Sequence, residues 1–290
     1  MSPLITIITP CFDDGATLPM ALASLVAQTV QDWECIVVDD GSGEAVAPIV
    51  EELGDERVSH LAFAENRGRS VARQAALERA RGEYICMLDA DDWYGPDKLE
   101  RQLTVLRTLP ELVAVGMGMF VIDEHGELQG VRSFAEETLE VHIGREHEFP
   151  ATAFPPVMLR REAALSARFD PALKRSEDFD YLMRVLAGKS YGVLAEAGYV
   201  YREIYSDYSM GEALSAFRFQ RQLFRSRMGQ AAVKAGRGYL WTLVKTGVYG
   251  AARAVGRGEW LFTRRNRAAT AEERRVFEAW REVVLGRGDA

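Results

Sequence analysis

The sequence predicts an α/β fold: a largely parallel sheet covered on both faces by helices, followed by a helical C-terminal extension. Three observations lead there. Strand-like and helix-like patterns alternate four times over the first hundred residues, with element lengths typical of a sheet buried on both faces. The strand-like runs end in polar, often acidic residues, at the edge where open α/β sheets bind ligands. The charge balance also reverses along the chain, because residues 1–211 carry 19 Lys and Arg against 36 Asp and Glu, whereas residues 212–290 carry 16 against 7.

Taken in order, residues 4–9 (LITIIT) are β-branched and apolar, a buried strand that Pro10 ends because proline cannot donate to a ladder. Asp13, Asp14 and Gly15 make a turn, and residues 16–28 form a helix with Leu18, Leu22, Leu25 and Val26 on one face. A second strand over 33–38 (WECIVV) runs into Asp39, Asp40, Gly41 and Ser42. A helix over about 44–53, a short strand over 58–61, the loop Glu65–Gly68 and a helix over about 70–81 follow. Residues 84–88 (YICML) form the fourth strand and lead straight into Asp89, Asp91 and Asp92.

Acids packed so closely repel one another unless a positive partner lies among them. Oxygen ligands alone suit a hard cation such as Mg²⁺ or Mn²⁺, which takes one or two carboxylates and completes its shell with water and phosphate. The competing reading is a polar strand end leading into a helix, with Pro96 and Asp97 in its first turn. For Asp97 the second reading is preferred. Thr9 to Asp13, Asp39 to Ser42, Asn66 to Gly68 and Asp89 to Asp92 all fall at strand carboxyl ends, so four polar segments should converge on one crevice. No G-x-G-x-x-G fingerprint and no Walker-type lysine loop follows the first strand, which argues against a dinucleotide-binding dehydrogenase and a P-loop NTPase.

A chain of 290 residues, 48% hydrophobic and 27% charged, has ample core for one large domain or two modest ones. The opening MSPLITIITP lacks a basic n-region and a small-residue cleavage site, and no window reaches the length of a membrane span. Cys11, Cys35 and Cys86 follow no zinc or disulfide spacing and read as small core residues in a reducing cytoplasm.

The segments ITPCFDDGATLPMALASLVAQTVQDWECIVVDDGS, ENRGRSVARQAAL and GEYICMLDADDWYGPDKL together resemble the nucleotide-sugar domain of glycosyltransferase family 2. The resemblance covers about the first hundred residues and implies the GT-A fold, a Rossmann-like mixed sheet sandwiched by helices. It implies a nucleotide-sugar half over 1–105, an acceptor half over 106–211 and a basic helical extension over 212–290. Thr9, Pro10 and Asp13 would then line the nucleoside pocket, Asp40 with Asp39 beside it would accept a hydrogen bond from the base, and Asn66, Gly68 and Arg73 would shape the base and diphosphate side. Asp89, Ala90 and Asp91 form the D-x-D motif, with Asp89 and Asp91 as the metal carboxylates. The implied cofactor is Mn²⁺ or Mg²⁺, and the implied donor is a nucleotide sugar, with UDP expected. Gln74 stands where the family often has Asn.

Further on, residues 110–123 carry a strongly apolar run, a turn at 124–127 leads to more strand-like sequence up to Ser133, and the proline-rich residues 149–159 read as an ordered loop or edge strand. Ser176 can cap a helix whose apolar face is Phe179, Leu182, Met183 and Leu186. Acids at its start are a common structural arrangement. In the family, however, an E-D pair here supplies the catalytic base, and EDFDYLMRV resembles it. An inverting transfer needs one carboxylate to take the acceptor hydroxyl's proton, and the expected assignment is Asp178 as base with Glu177 as its orienting neighbour. Residues 198–202 (GYVYR) resemble the family's Y-R segment closing over the diphosphate. That makes Arg202 a phosphate candidate, although Ile204 replaces the family's usual histidine.

From 212 to 267 there are twelve basic residues and two acids, interleaved with Phe217, Phe219, Phe224, Tyr239, Trp241, Tyr249, Trp260 and Phe262, while Gly236, Gly238, Gly247, Gly250, Gly256 and Gly258 should divide the segment into short helices. Such a surface suits an anionic membrane, or packing against the acidic body or another subunit; nucleic acid is not expected, for want of a motif. The reading is a cytoplasmic, metal-dependent, inverting glycosyltransferase acting on a saccharide or lipid-linked acceptor, at the inner face of the membrane if the tail is a membrane contact. The alternatives are a nucleotidyltransferase, against which the acidic CFDDGATL loop counts, and a non-catalytic scaffold, which would have no reason to keep crowded acids.

Overall fold

The computed structural model describes residues 2–44, 46–146, 148–203, 210–254 and 265–288. Alternation of strand and helix over the first hundred residues is observed: β1 (Ile5–Cys11), α1 (Leu18–Val26), β2 (Trp33–Asp39), α2 (Ala47–Leu53), β3 (Val58–Ala62), α3 (Arg69–Leu77) and β4 (Tyr84–Met87). β1 lies between β2 and β4, with β3 outside β2, all parallel. The chain then forms β5 (Trp93–Tyr94), α4 (Lys98–Thr108), β6 (Leu112–Ile122), β7 (Leu128–Arg132), β8 (Leu139–Ile143), β9 (Met158–Arg160), α5 (Arg161–Leu165), α6 (Glu177–Leu186) and β10 (Ser190–Arg202). One ten-stranded mixed sheet results, in the order β3-β2-β1-β4-β9-β6-β10-β5, with β7 on β6 and β8 on β10.

Residues 149–159 differ from expectation. They end in β9, which is central rather than at an edge, antiparallel to both β4 and β6. Pro150, Pro155 and Pro156 all precede the three-residue strand, so no ladder donor is lost. β5 was not legible at all, since two residues are too few to show a period; it pairs with Tyr199 and Val200 of β10.

Successive strand residues feed two cores. Ile5, Ile7, Cys35, Val37, Tyr84 and Cys86 meet α1 and α4 on one face, and Ile8, Ile36, Val38, Ile85 and Met87 meet α3, α5 and α6 on the other. The period of two in strands buried on both sides explains why the sequence reads there as continuous apolar runs. The three cysteines are free and buried, as core residues should be.

The basic extension is ordered differently from the series of short helices expected. α7 (Met210–Ala254) is helical along its length, and Gly247 and Gly250 do not break it, because a single helix glycine costs only about 1 kcal/mol, which packing can override. It is not straight. The rings of Phe217 and Tyr249 are 5.0 Å apart, whereas a straight helix would separate them by about 48 Å. Arg221 reaches Thr246, and the Arg225 guanidinium lies 5.6 Å from the Tyr239 ring. α7 therefore doubles back between Arg225 and Tyr239 into an antiparallel hairpin. Gly256, Gly258, Trp260 and Phe262 lie outside the described residues, as does Ile204.

The chain end returns to the front of the molecule. Val131 of β7 and Arg267 form a two-way backbone bridge, and α8 (Ala271–Gly288) places Phe277, Trp280 and Val284 against Trp93, Phe120, Ala23 and Ala27. Gly95 is required there, since a Cβ would come within 2.5 Å of the Trp280 ring. A reciprocal capping box starts α8: the Glu273 amide donates to Thr270 Oγ1 at 3.2 Å and the Thr270 amide to Glu273 Oε2 at 2.8 Å. No helix among the described residues is long and apolar enough to cross a membrane.

Candidate active site

The carboxyl ends of β1, β2 and β4 open on a cavity of about 730 Å³. Pro10, Asp40, Asn66, Gly68, Arg73, Asp89, Ala90 and Asp91 line it, together with Asp14, Arg69, Lys174 and Tyr201. Asp40 holds the loop before α3: its Oδ1 accepts the Arg67 amide and its Oδ2 the Gly68 amide, both at 2.8 Å. That approach needs Gly41, whose φ is +77° and where a Cβ would come within 2.4 Å of the Glu65 carbonyl carbon.

Four sequence candidates do not form this wall. Thr9 is fully buried, its hydroxyl 3.5 Å from the Cys35 thiol. Asp39 accepts the Ser42 amide at 2.9 Å, and Asp13 accepts the Gly43 amide at 2.8 Å. Asp39 thereby turns the loop after β2 on itself, while Asp13 ties the loop after β1 to it, with a left-handed φ of 58°. Its neighbour Asp14, half-buried where Asp13 is exposed, is the one that lines the cavity, a distinction set by backbone conformation that two adjacent acids in a sequence cannot reveal. Arg202, expected on the diphosphate, instead spends its guanidinium on the carbonyls of Asp91 (3.1 Å), Asp123 (3.2 Å) and Glu124 (3.1 Å). It fastens the D-x-D turn to the end of β10.

A buried pairing sets the height of that turn. Tyr199 donates its hydroxyl to Asp92 Oδ2 at 2.7 Å and accepts the Asp89 amide at 3.3 Å, while Asp92 Oδ1 accepts the Arg202 amide at 2.7 Å. Burial, then Asp91 and Asp89, push the Asp92 carboxyl well above the usual range. Asp92 is thus the third acid of the run but a structural one. Asp91 differs: burial, then repulsion by Asp89 and Asp14, pushes its carboxyl up to about 7, and burial likewise raises Asp14.

Oxygen donors held together against their own repulsion fit a hard divalent cation. No group of three His, Cys, Asp or Glu side chains among the described residues would hold a metal unaided. The residues therefore fit a cation taking one or two carboxylates, Asp91 and Asp89, and completing its shell with water and diphosphate oxygens.

A second cavity of about 280 Å³ adjoins the first and shares Arg69, Arg73, Asp89 and Tyr201 with it. Asp178, Phe179 and Leu182 of α6 line it, with Arg132 and Phe154. Ser176 precedes α6 but does not cap it with its side chain; it has φ 58°, turning the chain sharply so that both acids enter the site. Arg73, 3% exposed, spans the two cavities: Nη1 donates to Glu177 at 2.9 Å and Nη2 to Asp89 at 2.8 Å. Burial opposes its charge, but Asp89, Glu177 and Asp178 outweigh that and raise its pKa. Arg69 adds a longer contact of 3.4 Å to Glu177. Burial, then Asp178, raises the Glu177 carboxyl. Nothing in the local pattern marks Arg73 as this bridge, since its partners lie 16 and 104 residues away.

Comparison with known proteins is decisive. The family model described as glycosyl transferase family 2 matches residues 6–164, more than half of the chain. The chain belongs to glycosyl transferase family 2. Succinoglycan biosynthesis protein ExoO of Rhizobium meliloti is 32% identical over 215 residues, 69% of this chain and 60% of that one. The Escherichia coli UDP-Glc:alpha-D-GlcNAc-diphosphoundecaprenol beta-1,3-glucosyltransferase WfgD is 34% identical over 103 residues, 36% of this chain and 41% of that one. This family 2 chain thus spans 60% and 41% of those relatives' lengths. Among solved structures, S. aureus TarS in complex with UDP-GlcNAc superposes with a TM-score of 0.65 at 19% identity, covering 99% of this chain and 83% of that one. Mannosyltransferase PcManGT from Pyrobaculum calidifontis in complex with GDP-Man and Mn²⁺ gives 0.59 at 17%, covering 99% and 87%. The fold is GT-A, as the first hundred residues implied.

Proposed function

We propose that this family 2 member transfers a sugar, with inversion, from a nucleoside diphosphate, UDP, to a hydroxyl of a surface-polysaccharide or glycolipid precursor. The observation that carries the reading is the junction of the two cavities: Asp89 and Asp91 face the larger, Asp178 the smaller, and Arg73 and Asp89 line both. A donor seated in the larger cavity would present its anomeric carbon at that junction. A hydroxyl in the smaller cavity would approach with Asp178 beside it to take the proton as the new bond forms. Glu177, neutralised by Arg73 and Arg69, orients the helix start and is not itself the base. Arg69 and Lys174 add positive charge to the donor cavity wall. Asp40, buried just after β2, keeps free lone pairs for a base edge. Mn²⁺ or Mg²⁺, held by Asp91 and Asp89, would supply the neutralisation of charge growing on the departing diphosphate.

Support for UDP comes from TarS, solved with UDP-GlcNAc, and from the WfgD name, which specifies UDP-Glc and a diphosphoundecaprenol acceptor. The buried free thiols accord with a reducing, cytoplasmic setting. Thermal shift with UDP, GDP, ADP and CMP, each with and without Mn²⁺, tests the reading. At a hundredfold excess over Kd, UDP with Mn²⁺ should add about 2.7 kcal/mol of stability, more than UDP or Mn²⁺ alone. A larger shift with GDP would replace the base assignment, and no shift with any nucleotide would remove the transferase reading.

A further inference from the structure

The α7 hairpin covers α6 with one side and leaves another bare. Its first arm docks through Phe224, whose ring lies 5.8 Å from Phe149 and 6.1 Å from Phe179. On the second arm Thr242 and Tyr249 turn inward, while Leu240, Trp241, Leu243, Val244 and Val248 are each between 44% and 61% exposed. Their spacing places all five on one side of the arm. Single exposed apolar residues are ordinary, but five that adjoin mark a contact surface.

The charge around this face narrows what covers it. Residues 212–267 hold twelve cations and two acids. Lys245 lies over the rings of Phe149, Phe217 and Trp241, and Arg221 donates to the Thr246 hydroxyl. Apart from Phe149 these partners lie within the hairpin, and burial, then Arg265, lowers the Lys245 pKa, so the positive charge that bears on this face is that of residues 212–267 as a whole. Two copies of the chain meeting through this face would bring like charges together.

We propose that the exposed face of the second arm lies in the interface of an anionic lipid bilayer, with Trp241 at headgroup depth and the leucines and valines below it, the net positive charge of residues 212–267 favouring anionic headgroups. The inference stands on the hairpin and not on the transferase reading. Only its consequence depends on that reading: Phe179, against which Phe224 of the hairpin packs, also lines the Asp178 cavity, so an acceptor anchored in the same bilayer would have a short path to the base.

The test is co-sedimentation of the full chain with phosphatidylcholine vesicles, with and without phosphatidylglycerol, beside the oligomeric state from light scattering. Binding to the anionic vesicles is expected, with weakening in high salt and a loss of at least about tenfold in the triple variant Leu240→Gln, Trp241→Gln, Val244→Gln. Trp241→Phe should remove the blue shift of fluorescence on binding. The UDP-induced thermal shift of the triple variant should match that of the parent, which certifies the fold and judges the transferase reading separately. The proposal is overturned by absence of binding, by equal binding to neutral vesicles, by binding that survives the triple substitution, or by a dimer that the substitution dissociates while vesicles are ignored.

Discussion

Two carboxylate pairs face each other across Arg73, one at the end of β4 and one at the start of α6. In each, the arginine takes one member, Asp89 at 2.8 Å and Glu177 at 2.9 Å, and leaves the other, Asp91 or Asp178, to its cavity. The difference lies in what surrounds the remaining acid. Burial, then Asp89 and Asp14, raises the Asp91 pKa to about 7, a crowding that a nearby positive charge would relieve. Asp178 faces a smaller, partly apolar cavity beside Phe154, Phe179 and Leu182, the surroundings on which its proposed role as base rests. One guanidinium thereby pairs with one acid of each couple, Asp89 and Glu177, and the proposed division of roles between adjacent acids rests on that pairing.

Asp178→Asn breaks the comparison most sharply. Transfer to acceptor should fall about a thousandfold, near 4 kcal/mol, while the affinity for UDP with Mn²⁺ changes less than about twofold. Equal losses in both would move Asp178 out of the base's place. Arg73→Met comes next, because it strands two carboxylates, one of them 2% exposed. Unfolding should become easier by about 3 kcal/mol, measurable as a lower denaturation midpoint, and Glu177→Gln in the same chain should recover part of that loss. If Arg73→Met unfolded like the parent, the bridge would not be the organising contact.

Tyr199→Phe tests the support beneath the D-x-D turn. Removing the hydroxyl leaves Asp92 buried with one partner fewer, a cost of about 2 kcal/mol, with weaker metal-dependent UDP binding by calorimetry as the turn loosens. The mildest change calibrates the scale at a more exposed centre. Arg267 and the Thr270 capping box hold the Glu273 carboxyl down to about 2. A depressed carboxylate pKa gives stability that is complete above the unfolded value, about 4.3, and is lost as pH falls through about 2. Thr270→Ala should cost about 1 kcal/mol at neutral pH. Glu273→Gln should flatten the acid limb of the stability profile; an unchanged acid limb would show that this pair is not maintained in solution.

Much of the fold was legible because β1, β2 and β4 are buried on both faces and α1 and α3 on one, so their periods survive in the sequence. β5 and β9 were not, since two or three residues carry no period and owe their place to neighbours supplied by β10, β4 and β6. The hairpin in α7 escaped for a related reason: glycines mark where a helix is weak, while the fold-back is decided by Phe217 meeting Tyr249 and Phe224 meeting α6.

The same division runs through the site. Its acids and their strand-end positions were written in the chain, because a sheet's carboxyl edge and a run such as DADD are local facts. Which acid works was a tertiary matter. Asp13 and Asp14, Asp39 and Asp40, Asp91 and Asp92, and Glu177 and Asp178 are neighbours of like chemistry, separated only by backbone direction and by partners from distant segments. Arg202 shows the converse, since its local signature suggested phosphate and its carbonyl partners come from two other loops. Proximity in sequence supplies the charges; burial and long-range pairing determine which of them remain available.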